Sequence, residues 1–123
     1  MYTLDTNTII YYLDSDERVL AVLRDVFERG ETVYISTISE LELFGFPRLS
    51  AEEADEIERV LQTVSIIPLD SRIARIAAGL RKNYGVKTLD SAIAATAIFT
   101  GTILLTRNIR DFKKIPNLRV EKV

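Results

Sequence analysis

The chain has 123 residues, a hydrophobic fraction of 47%, a charged fraction of 28% and a formal net charge of −2, which is typical of one globular domain with a substantial core. It contains no cysteine and no histidine, which excludes disulfides, zinc sites built from thiolates or imidazoles, and Ser-His-Asp triads. Any catalysis must therefore come from carboxylates, hydroxyls, amines or a hard metal ion bound through oxygen.

The sign of the charge changes along the chain. Residues 1–61 hold 14 acids and 5 bases, a balance of −9, whereas residues 62–123 hold 4 acids and 11 bases, a balance of +7. Such asymmetry indicates an anionic partner for the basic half, but the signal is weak because the two halves of a single domain are expected to interleave in space. No apolar run approaches the roughly 20 residues of a membrane span, and no secretory signal pattern is visible at the N-terminus. We therefore expect a cytoplasmic protein that does not contact the membrane.

The first half of the chain predicts two strands and four helices. In chain order these are a strand over residues 2–4, a helix after the polar turn 5–7, a helix between Asp16 and Gly30, a strand over residues 33–36, and two helices that begin at Ser39 and Ser50. The last two starts have the spacing of a capping box, with a glutamate three residues after each serine.

The second half predicts a strand over residues 66–67, a helix between Asp70 and Gly85, an almost wholly apolar helix over residues 89–100, and strands over residues 103–105 and 118–120. Short apolar strands that alternate with helices predict an α/β fold with a parallel sheet covered on both faces. In such folds the ligand site lies beyond the carboxyl ends of the strands, where the strand order reverses. Asp5 follows the first strand, and Thr106 follows the fourth.

Four acids lie at element junctions beside apolar sequence, namely Asp5, Glu42, Asp90 and Asp111. Each has a local structural alternative: a helix cap for the first, the back-bonding half of a capping box for the second, a favourable first-turn position for the third and a turn for the fourth. Asp90 argues against purely local roles, because it begins a helix so apolar that an unpaired charge there is costly. Crowded carboxylates need a cation, and Mg²⁺ or Mn²⁺ is the hard ion that oxygen ligands hold.

Four motifs carry a resemblance to a known family: DTN at residues 5–7, ISTISELELFG at 35–45, LDSAIAATAI at 89–98 and LLTRNIRDF at 104–112. In this order the chain resembles the PIN-domain ribonucleases, and most of all the small VapC-type toxins of toxin–antitoxin pairs. The resemblance implies a three-layer α/β/α sandwich with a parallel central sheet, formed by residues 1–123 as a single nuclease domain. It also implies an Mg²⁺ (or Mn²⁺) cofactor, RNA as substrate, a cognate antitoxin and a homodimer.

The resemblance also assigns roles by position. The catalytic acids are Asp5, Glu42, Asp90 and Asp111, and the candidate metal ligands are Asp5, Asp90, Asn108 and Asp111. Many relatives carry aspartate where this chain has Asn108, so the fourth position stays open between Asn108 and Asp111.

Two further groups of residues surround these acids. Asn7 and Thr106 are expected to support the site by hydrogen bonds to Asp5 or its neighbours. Contacts to RNA phosphates are predicted for a set of bases whose alternative is an ordinary solvated surface: Lys87, Arg107 and Arg110, together with Lys113 and Lys114.

Two other functions are weighed against this one. A phosphatase with Asp5 as covalent nucleophile would need a second aspartate two residues later, where Asn7 stands. A degenerate PIN domain that binds RNA or a protein without cleavage is favoured by Asn108 alone. The apolar positions Val19, Leu23 and Phe27, and the segment 43–46, are compatible with either a dimer surface or the core.

Overall fold

The computed structural model describes all 123 residues as five strands and seven helices. The strands are β1 (Tyr2–Leu4), β2 (Val33–Ser36), β3 (Ser65–Ile67), β4 (Ile103–Thr106) and β5 (Val120–Lys122). The helices are α1 (Thr6–Leu13), α2 (Glu17–Glu28), α3 (Thr37–Phe44), α4 (Ala51–Leu61), α5 (Ser71–Tyr84), α6 (Thr88–Thr100) and α7 (Ile109–Phe112). None of the helices combines the length and apolarity that a bilayer crossing requires.

The five strands form one parallel sheet in the order β3-β2-β1-β4-β5. The chain moves outward from β1 to β2 and β3, then returns to add β4 and β5 on the other side of β1. Connections between parallel strands are right-handed, so a reversal of direction moves the connecting helices to the opposite face. The helices α1–α4 therefore cover one face and α5–α7 the other, which confirms the predicted three-layer α/β/α sandwich.

Each face of the sheet has its own hydrophobic core. The first is built from α1–α4 and the strands, with Ile9, Val19, Ile35, Leu43 and Ile57 among its buried members. The second is built from α5–α7 and the strands, with Ile73, Ala77, Ile93, Leu104 and Phe112 among its buried members. The nearly all-apolar sequence of α6 is explained by its position, because it packs on the sheet with one side and on α5 with another.

The start of α3 differs from the prediction. The helix begins at Thr37 because the Ser36 side chain accepts a hydrogen bond from the backbone N–H of Ile38 (3.1 Å) and acts as the N-cap. Ser39 lies inside the helix and is fully buried, so it forms no capping box with Glu42. Glu42 consequently lies in the second turn and not in the first. The capping box predicted at Ser50 is present.

The last strand also lies later than predicted, at Val120–Lys122. Leu118 belongs instead to the second core, and its backbone N–H donates to the carbonyl of Ile115 (3.3 Å).

The apolar positions that were compatible with a dimer surface divide between core and surface. Val19, Leu23 and Leu43 are buried in the first core. Exposed aromatic rings remain at Phe27, Phe44 and Phe46. Of the apolar side chains considered for a dimer surface, these three rings are the exposed ones.

Candidate active site

The acidic residues gather where β1 and β4 lie side by side. After β1 the chain turns toward one face of the sheet, and after β4 it turns toward the other, so a crevice opens between the two departing segments. Asp5 follows β1 directly, and its backbone N–H donates to the carbonyl of Leu105 in β4 (3.5 Å). The predicted position of the site, beyond the carboxyl ends of the strands, is therefore where the structure places Asp5.

Asp5 is both a helix cap and a buried carboxylate. It is only 5% exposed. Its Oδ1 accepts hydrogen bonds from the backbone N–H of Thr8 (2.8 Å) and from the Thr8 hydroxyl (2.6 Å). Its Oδ2 accepts a short hydrogen bond from the Thr106 hydroxyl. Since each carboxylate oxygen accepts about two hydrogen bonds, Oδ1 is saturated and Oδ2 keeps one position for a cation or water.

Glu42 is held by a chain of hydroxyl groups. The Thr6 hydroxyl donates to Oε1 of Glu42 (2.6 Å) and lies 2.9 Å from the Ser39 hydroxyl. A hydroxyl has one hydrogen, so Ser39 donates to Thr6 while Thr6 donates to Glu42. This chain links α1 to α3 and leaves Oε2 of Glu42 without a protein partner. Thr6 and Ser39 thus fix one oxygen of the carboxylate and free the other.

Asp90 and Asp111 complete the acidic group. The pKa of Asp90 is raised, first by burial and then by the negative charges of Asp111, Asp5 and Glu42. The pKa of Asp111 is lowered, first by a hydrogen bond that Nδ2 of Asn108 donates to its Oδ2 (3.0 Å) and further by nearby lysines and an arginine. Asp90 is therefore close enough to the other three acids to feel their negative charges.

The oxygen donors at this site fit a hard divalent cation. They are carboxylates, with the Asn108 side-chain carbonyl beside them, and the chain contains no histidine or cysteine that could add an imidazole or thiolate ligand. In their present orientations no three acidic side chains converge closely enough to enclose one ion. A bound cation would require some of these carboxylates to rotate, and it would remove the repulsion that raises the pKa of Asp90.

The supporting residues differ in part from the predicted ones. Thr106 contacts Asp5 directly, and its hydroxyl also accepts a hydrogen bond from the backbone N–H of Asn108 (2.9 Å). Asn7 is exposed, and its side chain forms no hydrogen bond within the protein. Thr8 was missed, although its place three residues after a capping aspartate was a usable signal. Ser39 was assigned to a helix cap and instead holds Thr6.

Arg107, predicted to contact RNA, is instead engaged within the protein. Its Nη2 donates to Oδ1 of Asp16 (2.7 Å), its Nε donates to the carbonyl of Val123 (3.0 Å), and its guanidinium carbon lies 4.4 Å from the centroid of the Tyr11 ring. The hydrogen bond with Asp16 raises the pKa of Arg107 and lowers that of Asp16. Arg107 thus links the end of β4 to Asp16 and to the C-terminal residue, and only its Nη1 has no protein partner.

The other predicted RNA contacts remain exposed. Lys87, Arg110 and Lys114 lie near enough to Asp111 to lower its pKa, and none of them forms an ion pair. These three bases therefore flank the acidic group with their charges available.

Known proteins are similar in sequence to this one over nearly the whole chain. The sequence profile of the PIN domain matches residues 2–118. Ribonuclease VapC19 of Mycobacterium tuberculosis is 30% identical over 124 residues, covering 97% of this chain and 98% of that protein. The tRNA(fMet)-specific endonuclease VapC of Salmonella typhimurium is 30% identical over 129 residues, covering 98% of this chain and 96% of that protein.

Solved structures give the same result for the fold. VapBC2 of Rickettsia felis, crystallised with a DNA fragment from its promoter, superimposes with a TM-score of 0.87 at 26% identity, covering 99% of this chain and 98% of that one. The DNA-bound VapBC of Salmonella typhimurium superimposes with a TM-score of 0.85 at 25% identity, covering 98% and 96%.

Proposed function

The chain belongs to the PIN-domain family, as a VapC-like member, and from this premise we propose that it is the endoribonuclease toxin of a toxin–antitoxin pair and that it depends on Mg²⁺ or Mn²⁺. The observation that carries the proposal is the buried Asp5 at the β1–β4 crevice, with Glu42, Asp90 and Asp111 near enough for the charges of the other three acids to raise the pKa of Asp90. Four carboxylates with no histidine or cysteine nearby suit hydrolysis assisted by a hard cation better than any covalent mechanism.

A divalent cation supplies this site with a Lewis acid that neutralises charge on the scissile phosphate and activates water. The residues of the chain position and pre-organise its ligands. Thr8 and Thr106 hold Asp5 by hydrogen bonds to its two oxygens, so the rotation that a bound cation would require falls mainly to the other carboxylates. Thr6 orients one oxygen of Glu42, and Asn108 orients Asp111.

The fourth metal-ligand position was left open between Asn108 and Asp111, and these contacts suggest a role for each of them. Asn108 donates its side-chain N–H to Asp111 and keeps its own carbonyl oxygen for a cation or a water molecule. Asp111 supplies the negative charge that the neutral Asn108 lacks. We propose that Asn108 and Asp111 act together, with Asp111 as the charged ligand.

Substrate and partners follow from the same site and from the relatives. Lys87 and Arg110 flank the acids and are proposed to bind phosphates on either side of the scissile bond. Two of the similar solved structures are VapBC complexes, and we propose a cognate antitoxin and a homodimer for this chain. The exposed Phe44 and Phe46, and a groove of about 530 Å³ lined by Ile10, Phe46 and Leu49, offer apolar surface for such contacts.

The direct test is RNA cleavage by the purified protein with and without Mn²⁺. A tRNA pool and an unstructured RNA should both be tried, because one relative is a tRNA-specific endonuclease. Cleavage should require the metal, stop in Asp90→Asn, and leave 5′-phosphate and 3′-hydroxyl ends. Ends with a 2′,3′-cyclic phosphate, or cleavage that survives Asp90→Asn, would contradict the mechanism.

The alternative, a degenerate PIN domain that binds RNA or a protein without cleaving RNA, predicts different results in metal and RNA binding. A degenerate domain would not bind Mn²⁺. Replacing its acids would also leave its affinity for RNA undiminished. Mn²⁺ titration by calorimetry on the wild type and on Asp5→Asn separates the two, since the nuclease should bind the ion and the variant should bind it much more weakly.

A further inference from the structure

The two halves of the chain mix in the sheet, where β3 pairs with β2, but their helices separate, contrary to the expected interleaving. This separation turns the charge asymmetry of the sequence into an asymmetry of the molecule. The helices of residues 1–61 all lie in the α1–α4 layer, and those of residues 62–123 all lie in the α5–α7 layer. We call these the acidic layer and the basic layer, because acids outnumber bases in helices α1–α4 and bases outnumber acids in helices α5–α7. The molecule therefore presents opposite charges on its two broad faces.

The basic layer is dominated by α5. This helix contains Arg72, Arg75, Arg81 and Lys82 and no acid. Only Arg72 has a salt-bridge partner, Asp70, and it also lies over the Phe99 ring at 4.9 Å. Bases in a last turn are common because they stabilise the helix dipole, which accounts for Arg81 and Lys82. That explanation does not apply to Arg75 in the middle of the helix.

One end of α5 lies near the acidic site and the other end lies far from it. The first turn of α5 contacts the last turn of α6 through Arg72 and Phe99, and only residues 85–87 join the end of α5 to the start of α6. The two helices are therefore antiparallel, which places Lys82 beside the first turn of α6, where Asp90 lies. Arg75 and Lys82 are seven residues apart, so they share one side of the helix about 10 Å apart along its axis.

We propose that the outer surface of α5, defined by Arg75, Ala78 and Lys82 with Arg72 at its far end, is a docking surface for the RNA that flanks the scissile phosphate. This proposal rests on the proposed function and extends it, because it adds a second RNA contact region outside the catalytic crevice. The RNA lies across the basic layer, and the acidic layer repels it from the opposite face.

RNA fits this surface better than a protein does. The centres of protein interfaces are poor in charged residues and rich in aromatic ones, whereas Arg75, Ala78 and Lys82 offer two charges and no large apolar side chain. An exposed ring beside them, Phe99, lies under Arg72 at the far end of the surface. The spacing of the two bases matches contacts to phosphates that are one or two nucleotides apart. Such contacts carry no sequence information, so this surface would contribute affinity and register and not base specificity.

The test measures RNA binding in the inactive Asp90→Asn background. A fluorescein-labelled RNA hairpin is titrated by anisotropy at several salt concentrations, with Arg75→Glu/Lys82→Glu as the variant. The matched control is Arg24→Glu/Arg59→Glu, which makes the same charge change at two exposed arginines of the acidic layer that form no ion pair. Two lost phosphate contacts predict a Kd that is roughly tenfold higher near physiological salt and a salt slope smaller by about 1.5.

Each outcome decides the proposal. A weaker, less salt-dependent complex in the α5 variant alone supports it, and Arg75→Gln/Lys82→Gln should then show a smaller loss in the same direction. Equal losses in the α5 and control variants, or none in either, would overturn it while leaving cleavage by the wild type as separate support for the proposed function. Loss of self-association in the α5 variant with RNA affinity unchanged would identify the surface as a protein interface. Failure of the wild type to bind or cleave RNA would remove the proposed function as well.

Discussion

Replacement of Thr106 by valine removes the hydroxyl that joins β1 to β4 at the acidic site. Thr106 is fully buried, and its hydroxyl both donates to Oδ2 of Asp5 and accepts from the backbone N–H of Asn108. Valine has nearly the same shape but can do neither. Asp5 would lose a donor while remaining almost completely buried, and the Asn108 N–H would lose its acceptor.

The expected loss of stability follows from these two interactions. A hydrogen bond to a charged group contributes about 1.5–3 kcal/mol and an ordinary one about 0.5–1.5 kcal/mol. Because the Asn108 N–H is only partly buried and water can replace its partner, we expect a total of about 2–3 kcal/mol for Thr106→Val. For a domain of this size 1 kcal/mol corresponds to roughly 3–5 °C in Tm, so Tm should fall by about 6–15 °C.

The assay is thermal unfolding followed by circular dichroism in EDTA, so that metal binding does not contribute. Thr106→Ser is the matched control, because it keeps the hydroxyl and should lose less than about 1 kcal/mol. A double-mutant cycle with Asp5→Asn isolates the pair, and Thr106→Val should cost less in that background. If the valine and serine variants unfold at the same temperature, or the cycle shows no coupling, the hydroxyl does not hold Asp5 and the description of the site is wrong.

Three other changes have predictable directions. Asp90→Asn should raise Tm at neutral pH in EDTA, because the raised pKa of Asp90 shows that its negative charge destabilises the folded state. This gain in Tm should disappear as pH falls through the raised pKa toward 3.8, where the aspartate becomes neutral. A gain that persists at lower pH would refute the electrostatic origin. Arg107→Met should lower Tm, and the deficit should narrow as pH falls below 3.8 through the lowered pKa of Asp16, since the ion pair stabilises the fold only while that carboxylate is charged. Gly45→Ala should lower the free energy of unfolding in urea by about 1–3 kcal/mol, because the new Cβ would lie 2.6 Å from a backbone carbonyl oxygen of α3. Gly79→Ala should raise the free energy of unfolding by about 0.5–1 kcal/mol, because its Cβ would meet open space within a helix.

Some features of this fold could be predicted because they depend on neighbours in the sequence. A helix begins where a side-chain oxygen accepts from a backbone N–H two or three residues ahead, as Asp16, Ser50 and Asp70 do. Short apolar runs bounded by such caps identified all five strands in their correct order along the chain.

Errors arose where two local signals competed or where the partner was distant. Both Ser36 and Ser39 can cap a helix from their sequence context. In the structure Ser36 is the cap, and Ser39 instead forms a hydrogen bond with Thr6, 33 residues away in sequence. Arg107 is a basic residue next to the predicted site, which favoured a phosphate contact. In the structure it pairs with Asp16, which lies 91 residues away in sequence. Nothing within a few residues of Arg107 indicates that pairing.

The sequence by itself determined the positions of most elements, the absence of histidine and cysteine chemistry, and the four acids that a PIN domain would use. It also determined that the chain is acidic in one half and basic in the other. Only the tertiary structure decided where those charges lie. The reversal of strand order at β1, combined with the right-handedness of each crossover, sends the helices of the two halves to opposite faces of the sheet. A composition bias that would have been averaged away in an interleaved fold therefore becomes two oppositely charged surfaces.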